Sequence, residues 1–432
     1  MQIAVDFNYI VGPMKPIHSV GEPPYYGTFM SNLHYLREAG VPYARLHDIS
    51  MFGYSRRWVD IHYIFPDFSA DPTDPASYDF AFTDLLISAL VEHGIEPLFR
   101  LGTAIENDAA IKAYHIFPPD DNEKWAVICE HIIRHYTEGW ADGFHHTITY
   151  WEIWNEPDGD EDPALNHMWR GNKEQYYALY GTASRHLKKC FPHLKIGGYG
   201  SCGFYAVCGT EEEGTAGFLR TNYFLSFLDG FLDYVRANDC PLDFFSWHSY
   251  DTIANTRLYA DYARKHLNEA GFSHTELICD EWNSEFRRRS TTEHAALTCG
   301  MLLMFQNSPV DIANFYDAQV SLSPYSGLFD PCSYRPYPAY YAFTAFQRLY
   351  GLGKQATLTY DSADGYAVAA TDGTSGCIVV ANPTDQPLPL SWQLSGQIEA
   401  CYLTGDGQVE VPTTLPDTLP PYSFLSVLLS VQ

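Results

Sequence analysis

A chain of 432 residues that is 46% hydrophobic and 18% charged can bury a large core, which sets aside disordered and fibrous architectures. One or two globular domains remain. Its 53 acidic residues against 26 basic ones give a formal charge of −27, which repels phosphate backbones and anionic lipid surfaces and argues against nucleic acid or membrane as a partner.

The opening Met1-Gln2-Ile3-Ala4-Val5-Asp6-Phe7 carries no basic region or cleavage site, and no run reaches the roughly 18 apolar residues of a membrane span. The expectation is a cytoplasmic protein, with a trimmed secretory signal as the alternative. Short apolar runs then alternate with helical patterns. Strands are predicted at 17–21, 43–48, 96–101, 149–156, 195–199, 244–250, 277–281 and 313–317. Helices are predicted at 27–39, 80–93, 124–136, 174–189, 222–238, 261–270, 294–306 and 338–349. Eight strand-plus-helix units imply a (β/α)8 barrel over residues 12–350.

Two links, the Gly-bearing 200–221 and the Gly- and Pro-bearing 321–335, are long enough to wall a binding cleft or simply to loop through solvent. Beyond residue 350, short β-type runs alternate with turn pairs such as Asp364-Gly365, Asp372-Gly373 and Asn382-Pro383. Residues 351–432 should form a small β-sandwich, joined by a strand at 2–8 that otherwise lacks a partner. The ten cysteines include no CxxC pair and read as reduced core fillers, Cys279 among them on the face of Glu281.

Two strand ends carry the chemistry. Tyr150-Trp151-Glu152-Ile153-Trp154-Asn155-Glu156-Pro157-Asp158 stops at a proline, so Glu156 projects from the last strand position among rings. A carboxyl group in apolar surroundings resists ionising, which suits proton donation near neutral pH. Taken alone, such a strand-end Glu is more often a buried strand's terminal acid meeting an Arg. The run Glu276-Leu277-Ile278-Cys279-Asp280-Glu281-Trp282-Asn283 delivers a second acid, Glu281, 125 positions further on. Barrel closure would bring the two together, and glycosidic bond hydrolysis requires such a pair.

Residues two apart in a strand share a face. With Glu156 and Glu281 pointing inward, Arg45 and His47 should point inward, and Ser246, His248 and Tyr250 should share one face. The same alternation sends Trp247 and Trp282 outward and Trp154 inward.

Trp154-Asn155-Glu156-Pro157 and Cys279-Asp280-Glu281-Trp282-Asn283 resemble the clan A retaining glycoside hydrolases. More narrowly the chain looks like glycoside hydrolase family 39, the β-xylosidases and α-L-iduronidases. Tyr43-Ala44-Arg45-Leu46-His47, Ser246-Trp247-His248-Ser249-Tyr250 and the stretch from Gly327-Leu328 to Pro338-Ala339-Tyr340 extend the match across most of the barrel, and the β-sandwich tail fits. The resemblance implies Glu156 as acid/base and Glu281 as nucleophile. Asn155 would hold the sugar 2-hydroxyl, and His47 would line the glycone subsite. His248 would neighbour the acid/base, while Tyr250 and Arg45 would neighbour the nucleophile. A cation near Glu281 would keep it ionised while Glu156 stays protonated.

These roles make the chain a retaining, exo-acting enzyme, with a β-xylosidase acting on xylo-oligosaccharides as the first reading and no cofactor or metal implied. The family's xylosidases carry acidic residues after the eighth strand. Here the run is Phe315-Tyr316-Asp317-Ala318-Gln319, so Asp317 substitutes or the sugar differs. The same chemistry on an α-L-arabinofuranoside, a β-galactoside or an iduronide-like glycoside stays open, as does a barrel that binds carbohydrate without turnover. A metal hydrolase finds little support, because His131 and His135 at i, i+4 lack an accompanying HExxH. The sequence leaves a homo-oligomer open.

Overall fold

The computed structural model describes residues 1–27, 31–48, 59–104, 116–209 and 211–431. Parallel strands β2 (Ser19–Gly21), β3 (Tyr43–Leu46), β4 (Glu96–Leu101), β5 (Tyr150–Ile153), β6 (Lys195–Ser201), β7 (Phe244–Ser249), β8 (Glu276–Trp282) and β9 (Ile312–Phe315) close into a barrel in chain order. Around it run α1 (Leu33–Glu38), α2 (Ile61–Ile64), α3 (Ala81–Glu92), α4 (Asn122–Thr137), α5 (Lys173–Cys190), α6 (Ala216–Ala237), α7 (Ile253–Glu269), α8 (Thr292–Gln306) and α9 (Tyr340–Tyr350). Among the described residues no helix is long and apolar enough to cross a membrane.

The helices start where side chains can satisfy their first free N–H groups. Asp121 caps α4, and Thr215, Thr252 and Thr291 cap α6, α7 and α8. Asn172 and Gln175 form a reciprocal capping box on α5. Helix starts account for most departures from the sequence reading. α7 begins at Ile253 behind its Thr252 cap rather than at 261, and α6 begins at Ala216, which shortens the predicted 200–221 link. α1 begins only at Leu33; positions 28–30 of the predicted helix, and position 210 of the link, lie outside the described residues.

The barrel interior changes character along its axis. Leu98, Tyr150, Phe244, Ile278 and Ile312, with Tyr43 against them, fill the end where the strands begin. Two residues further along the same faces stand Arg45, Arg100, Glu152, Ser246 and Asp280, all buried. An apolar plug thus supports a polar upper layer at the carboxyl ends of the strands, the end where barrels of this kind carry their sites.

The remaining strands are β1 (Gln2–Pro13), β10 (Lys354–Tyr360), β11 (Tyr366–Thr371), β12 (Ser375–Asn382), β13 (Leu388–Pro389), β14 (Ser391–Gln393), β15 (Gln397–Gly405), β16 (Gln408–Thr413), β17 (Thr418–Leu419) and β18 (Ser423–Ser430). They form an eight-stranded sheet of order β14-β1-β10-β11-β12-β18-β15-β16, with β13 and β17 paired separately. The N-terminal strand does find its partner there, antiparallel to β10 with Ile3 opposite Tyr360. Val368, Ala370, Cys377, Val379, Ala381 and Phe424 join the barrel's core, packed towards α8 and α9. Their neighbours Ala367, Ala369, Ile378, Val380, Leu425 and Val427 form a second core with Leu388 and Leu419 of the small sheet. Burial on both faces explains the unbroken apolar run Cys377-Ile378-Val379-Val380-Ala381.

Because one core is shared by barrel and sheet, Phe424→Ala should destabilise the whole chain, by about 3–5 kcal/mol on the scale of buried aromatic truncations. Urea unfolding followed by tryptophan fluorescence and by circular dichroism should then shift together as a single transition.

Candidate active site

Glu156 is not at the end of a strand. β5 stops at Ile153, and Trp154 and Glu156 both have positive φ, 77° and 46°. This irregular turn breaks the expected alternation. Trp154 therefore points away from the barrel interior, packs against Trp125 and Trp169, and donates its Nε1–H to the Met168 carbonyl at 2.9 Å. The inward direction expected for Trp154 is wrong for that reason. The turn also lets two consecutive side chains, Asn155 and Glu156, reach the same site.

Several bonds hold this turn. The Glu156 N–H donates to the Gly200 carbonyl at 2.9 Å, and Asn166 Nδ2 donates to the Pro157 carbonyl at 3.0 Å. Asp158 is buried and accepts from Ser201 Oγ at 2.7 Å and from the Cys202 N–H at 3.1 Å, tying the turn to the end of β6.

A second irregularity acts on β8. Trp247 pairs with Cys279, but His248 pairs with Glu281, so Asp280 is the extra residue of a β-bulge. Ile278 lies in the interior and Cys279 in the outer core with Trp247, after which Asp280 and Glu281 both turn inward. Cys279 therefore does not share the face of Glu281, contrary to simple alternation. Trp247 and Trp282 face outward as alternation requires, Trp282 against Phe305 of α8.

Arg45 sits at the centre, 1% exposed. Its guanidinium lies 2.8 Å from Glu152, 2.8 Å from Asp280, 2.8 Å from Glu281 Oε1 and 2.6 Å from Asn155 Oδ1. The Asn155 carbonyl is thereby used, which fixes the amide with its NH2 as the group available to a ligand. Tyr250 donates its hydroxyl to Glu281 Oε2 at 2.5 Å, and Ser246 donates to Glu152 Oε1 at 2.5 Å. His248 Nδ1 lies 2.8 Å from Glu156 Oε1 and 3.5 Å from Glu281 Oε2. One oxygen of Glu156, one of Glu281 and a ring nitrogen of His248 all lie within 4.8 Å of one another.

His47 stands further out, its Nε2 4.0 Å from Glu281 Oε1 and 3.6 Å from Asp48, while Arg100 donates to its Nδ1 at 3.1 Å. Asp317 lies one step beyond. It accepts from Ser326 Oγ at 2.7 Å and the Gln319 N–H at 3.0 Å, and burial pushes its carboxyl up to about 7 with Glu281 adding to the rise. Gln319 also donates to Glu22, a buried acid raised well above its ordinary range by burial and by Asp317 and Asp48. Tyr325, from the predicted 321–335 wall, packs 5.2 Å from Tyr250.

The eight residues singled out in the sequence thus gather at one end of the barrel, six of them in direct contact with one another. Sequence reasoning missed Glu152, Asp280, Arg100 and Glu22. Glu152 and Arg100 were within reach, since they share faces with Tyr150 and Leu98. Asp280 was not, because strict alternation cannot turn two successive residues inward, and with Glu281 inward only the bulge lets Asp280 join it.

The protonation pattern also departs from expectation. Burial raises the Glu281 carboxyl, and His248 and Arg45 only partly offset this. Glu156 is also penalised by burial, but its hydrogen bond to His248 and the charge of that ring outweigh the penalty and lower it. Burial disfavours the His248 cation, yet Glu281 and Asp280 hold it well above the usual imidazole value. Arg45 is beside Glu281 as expected. His248 is beside Glu156, also as expected; what differs is that it lowers Glu156, so the proton expected there is favoured on the histidine and the two titrate as a pair. Glu156 is 24% exposed and Glu281 6%, so the former faces arriving ligands while the latter is held from below.

Glu156, His248 and Glu281 are one group able to hold a metal; Glu130, His186 and Cys190 on α4 and α5 are another among the described residues. His186 Nε2 meets Glu130 at 2.6 Å, and Arg134 takes that carboxylate's other oxygen. His131 and His135 bond separately, to the Val127 carbonyl and to Asp84.

The family model of Glycosyl hydrolases family 39 matches residues 42–274, more than half of the chain. The chain belongs to glycosyl hydrolase family 39. A beta-xylosidase of Geobacillus stearothermophilus is 22% identical over 311 residues, covering 63% of this chain and 56% of the relative. One from Caldicellulosiruptor saccharolyticus is 27% identical over 184 residues, 41% of this chain and 32% of the relative. The alignments thus cover little more than half of the first relative's length and about a third of the second's. A glucosidase structure from Croceicoccus marinus superposes with a TM-score of 0.74 at 21% identity, covering 100% of this chain and 99% of the other. A family 39 beta-xylosidase from Caulobacter crescentus gives 0.69 at 18% identity, with 99% of both chains covered. The family 39 fold therefore extends to both the barrel and the added sheet.

Asp158 yields a test of how the Glu156 turn is held. Burial raises its carboxyl from 3.8 to about 6, against the hydrogen bonds from Ser201 and Cys202. Between about pH 4 and 6 the unfolded chain has released this proton while the folded chain keeps it, so stability falls as pH rises, by about 3 kcal/mol in total. Asp158→Asn removes this contribution. Its stability relative to the parent, measured by urea unfolding, should improve steadily across that window and level off above it.

Proposed function

We propose that this chain is a retaining, exo-acting glycoside hydrolase, with a β-xyloside as its substrate. The observation that carries the reading is the approach of the Glu156 and Glu281 carboxylates to within 4.8 Å at the open end of the barrel. Retaining enzymes hold their two carboxyl groups about 5–5.5 Å apart, whereas inverting ones leave about 6.5–9.5 Å for a water. Family membership and the beta-xylosidase relatives support the substrate class.

In this reading Glu281 attacks the anomeric carbon. Tyr250 and Arg45 each hold one of its oxygens, which fixes the carboxylate's rotation. Glu156 delivers the proton to the departing oxygen and later accepts one from the incoming water, and His248 stands behind it. The Asn155 amide, locked by Arg45, meets the 2-hydroxyl, where a hydrogen bond strengthens as the ring flattens. His47, steered by Arg100, lines the glycone side with Asp317.

The test is a panel of aryl glycosides (β-xyloside, β-glucoside, α-L-arabinofuranoside and α-L-iduronide) with the first-formed anomer read by NMR. The β-xyloside should turn over fastest and release β-xylose first. A first-formed α-anomer would sink the retaining assignment, and a faster second sugar would replace the substrate. Glu281→Gln should cut kcat by roughly 10⁴-fold or more, the scale on which loss of a nucleophile acts.

A further inference from the structure

Asp280 has no part in bond making under the reading above, yet it is wholly buried beside the groups that do. The β8 bulge lets it face inward together with Glu281, with one oxygen 2.8 Å from Arg45 and the other 3.7 Å from His248 Nε2. The opposite ring nitrogen, Nδ1, faces Glu156 at 2.8 Å. His248 therefore faces a carboxylate on each side, hydrogen-bonded at Nδ1 and in electrostatic range, beyond hydrogen-bond distance, at Nε2. Gly200, at φ 61°, leaves room beside that ring: a Cβ there would lie 3.3 Å from His248 Nε2 and 3.1 Å from Arg45.

We infer that Asp280 is a positioning residue that keeps His248 an imidazolium, so that the proton Glu156 donates is stored across the His248–Glu156 hydrogen bond. This rests on the glycosidase reading. In the first step the proton passes from His248 Nδ1 to Glu156 Oε1 and on to the departing oxygen, while Glu281 bonds to the anomeric carbon. In the second, water loses its proton to Glu156, which returns it to His248 as Glu281 is released. Protons balance over the cycle.

The charged groups facing His248 are Glu156, Glu281, Asp280 and Arg45, with Tyr250 on Glu281 and Glu152 behind Asp280. Of the acids touching the ring, Glu281 loses its charge when it is glycosylated, and Glu156 loses and regains its own. Asp280 keeps its charge throughout, anchored by Arg45, and so sustains the basicity that the second step requires.

Histidine labelled with ¹³C at Cε1 reads this directly, the His248 signal being assigned by its absence in His248→Asn. In the parent protein that ring should remain charged through pH 8. In Asp280→Asn it should titrate at least about one unit lower, and the alkaline limb of kcat/KM should move down by the same amount with KM nearly unchanged. Asp280→Glu should restore both. A neutral His248 at pH 7 in the parent protein, or an Asp280→Asn variant that moves neither signal nor limb, would overturn the inference. The parent spectrum decides even where the variant does not fold. Absence of turnover on every glycoside would instead defeat the glycosidase reading and leave the NMR result standing.

Discussion

The buried guanidinium of Arg45 organises everything above the apolar plug of the barrel. A charge removed from water must be matched by others, and here Glu152, Asp280 and Glu281 converge on it with the Asn155 carbonyl. Deleting one partner of such a cluster leaves the others buried and uncompensated, typically at about 3–5 kcal/mol. The barrel is thus tied across β3, β5 and β8 by electrostatics at the level where hydrophobic filling ends. The two carboxylates proposed for chemistry are attached to that tie, directly for Glu281 and through Asn155 for its neighbour Glu156. Rigidity at the site follows in large part from the cost of breaking the cluster.

His248 makes the same arrangement asymmetric. Two glutamates in one cavity would repel and share an uncertain proton. A ring nitrogen 2.8 Å from one and 3.5 Å from the other separates their behaviour by distance alone. Arg45 grips the buried acid and the imidazole favours the open one. Identical side chains thereby face different surroundings, as acid/base pairs need. Burial of Glu156, the feature the sequence suggested would protonate it, is outweighed by the hydrogen bond to His248 and the positive charge around it.

Much of the frame is legible in the residues because the patterns are regular. Glu96–Leu101 starts and ends where the β pattern does, and the other barrel strands agree to within a few positions. Helix starts were less legible, since caps such as Thr252 and Thr215 sit in polar surroundings that periodicity does not register. At the site, the two glutamates stood out by residue type and by the proline after Glu156. The failures, Trp154, Cys279 and Asp280, share one cause. Each assumed a two-residue period where the backbone inserts a bulge or a left-handed turn, and nothing in those short stretches announces either.

β1 lies between β14 and β10, so the first strand of the chain is hydrogen-bonded to segments near its other end, Ile3 opposite Tyr360. During synthesis that strand emerges early and must wait for most of the polypeptide before its neighbours exist. Until β11, β12 and β18 arrive, α8 and α9 also lack the cover they share with the barrel core. Long-range pairing of this kind is slow and leaves apolar surface open meanwhile. The growing chain therefore depends on a late ring closure between its two ends, and its yield in a cell should be governed by how well the unfinished barrel is shielded in the interval.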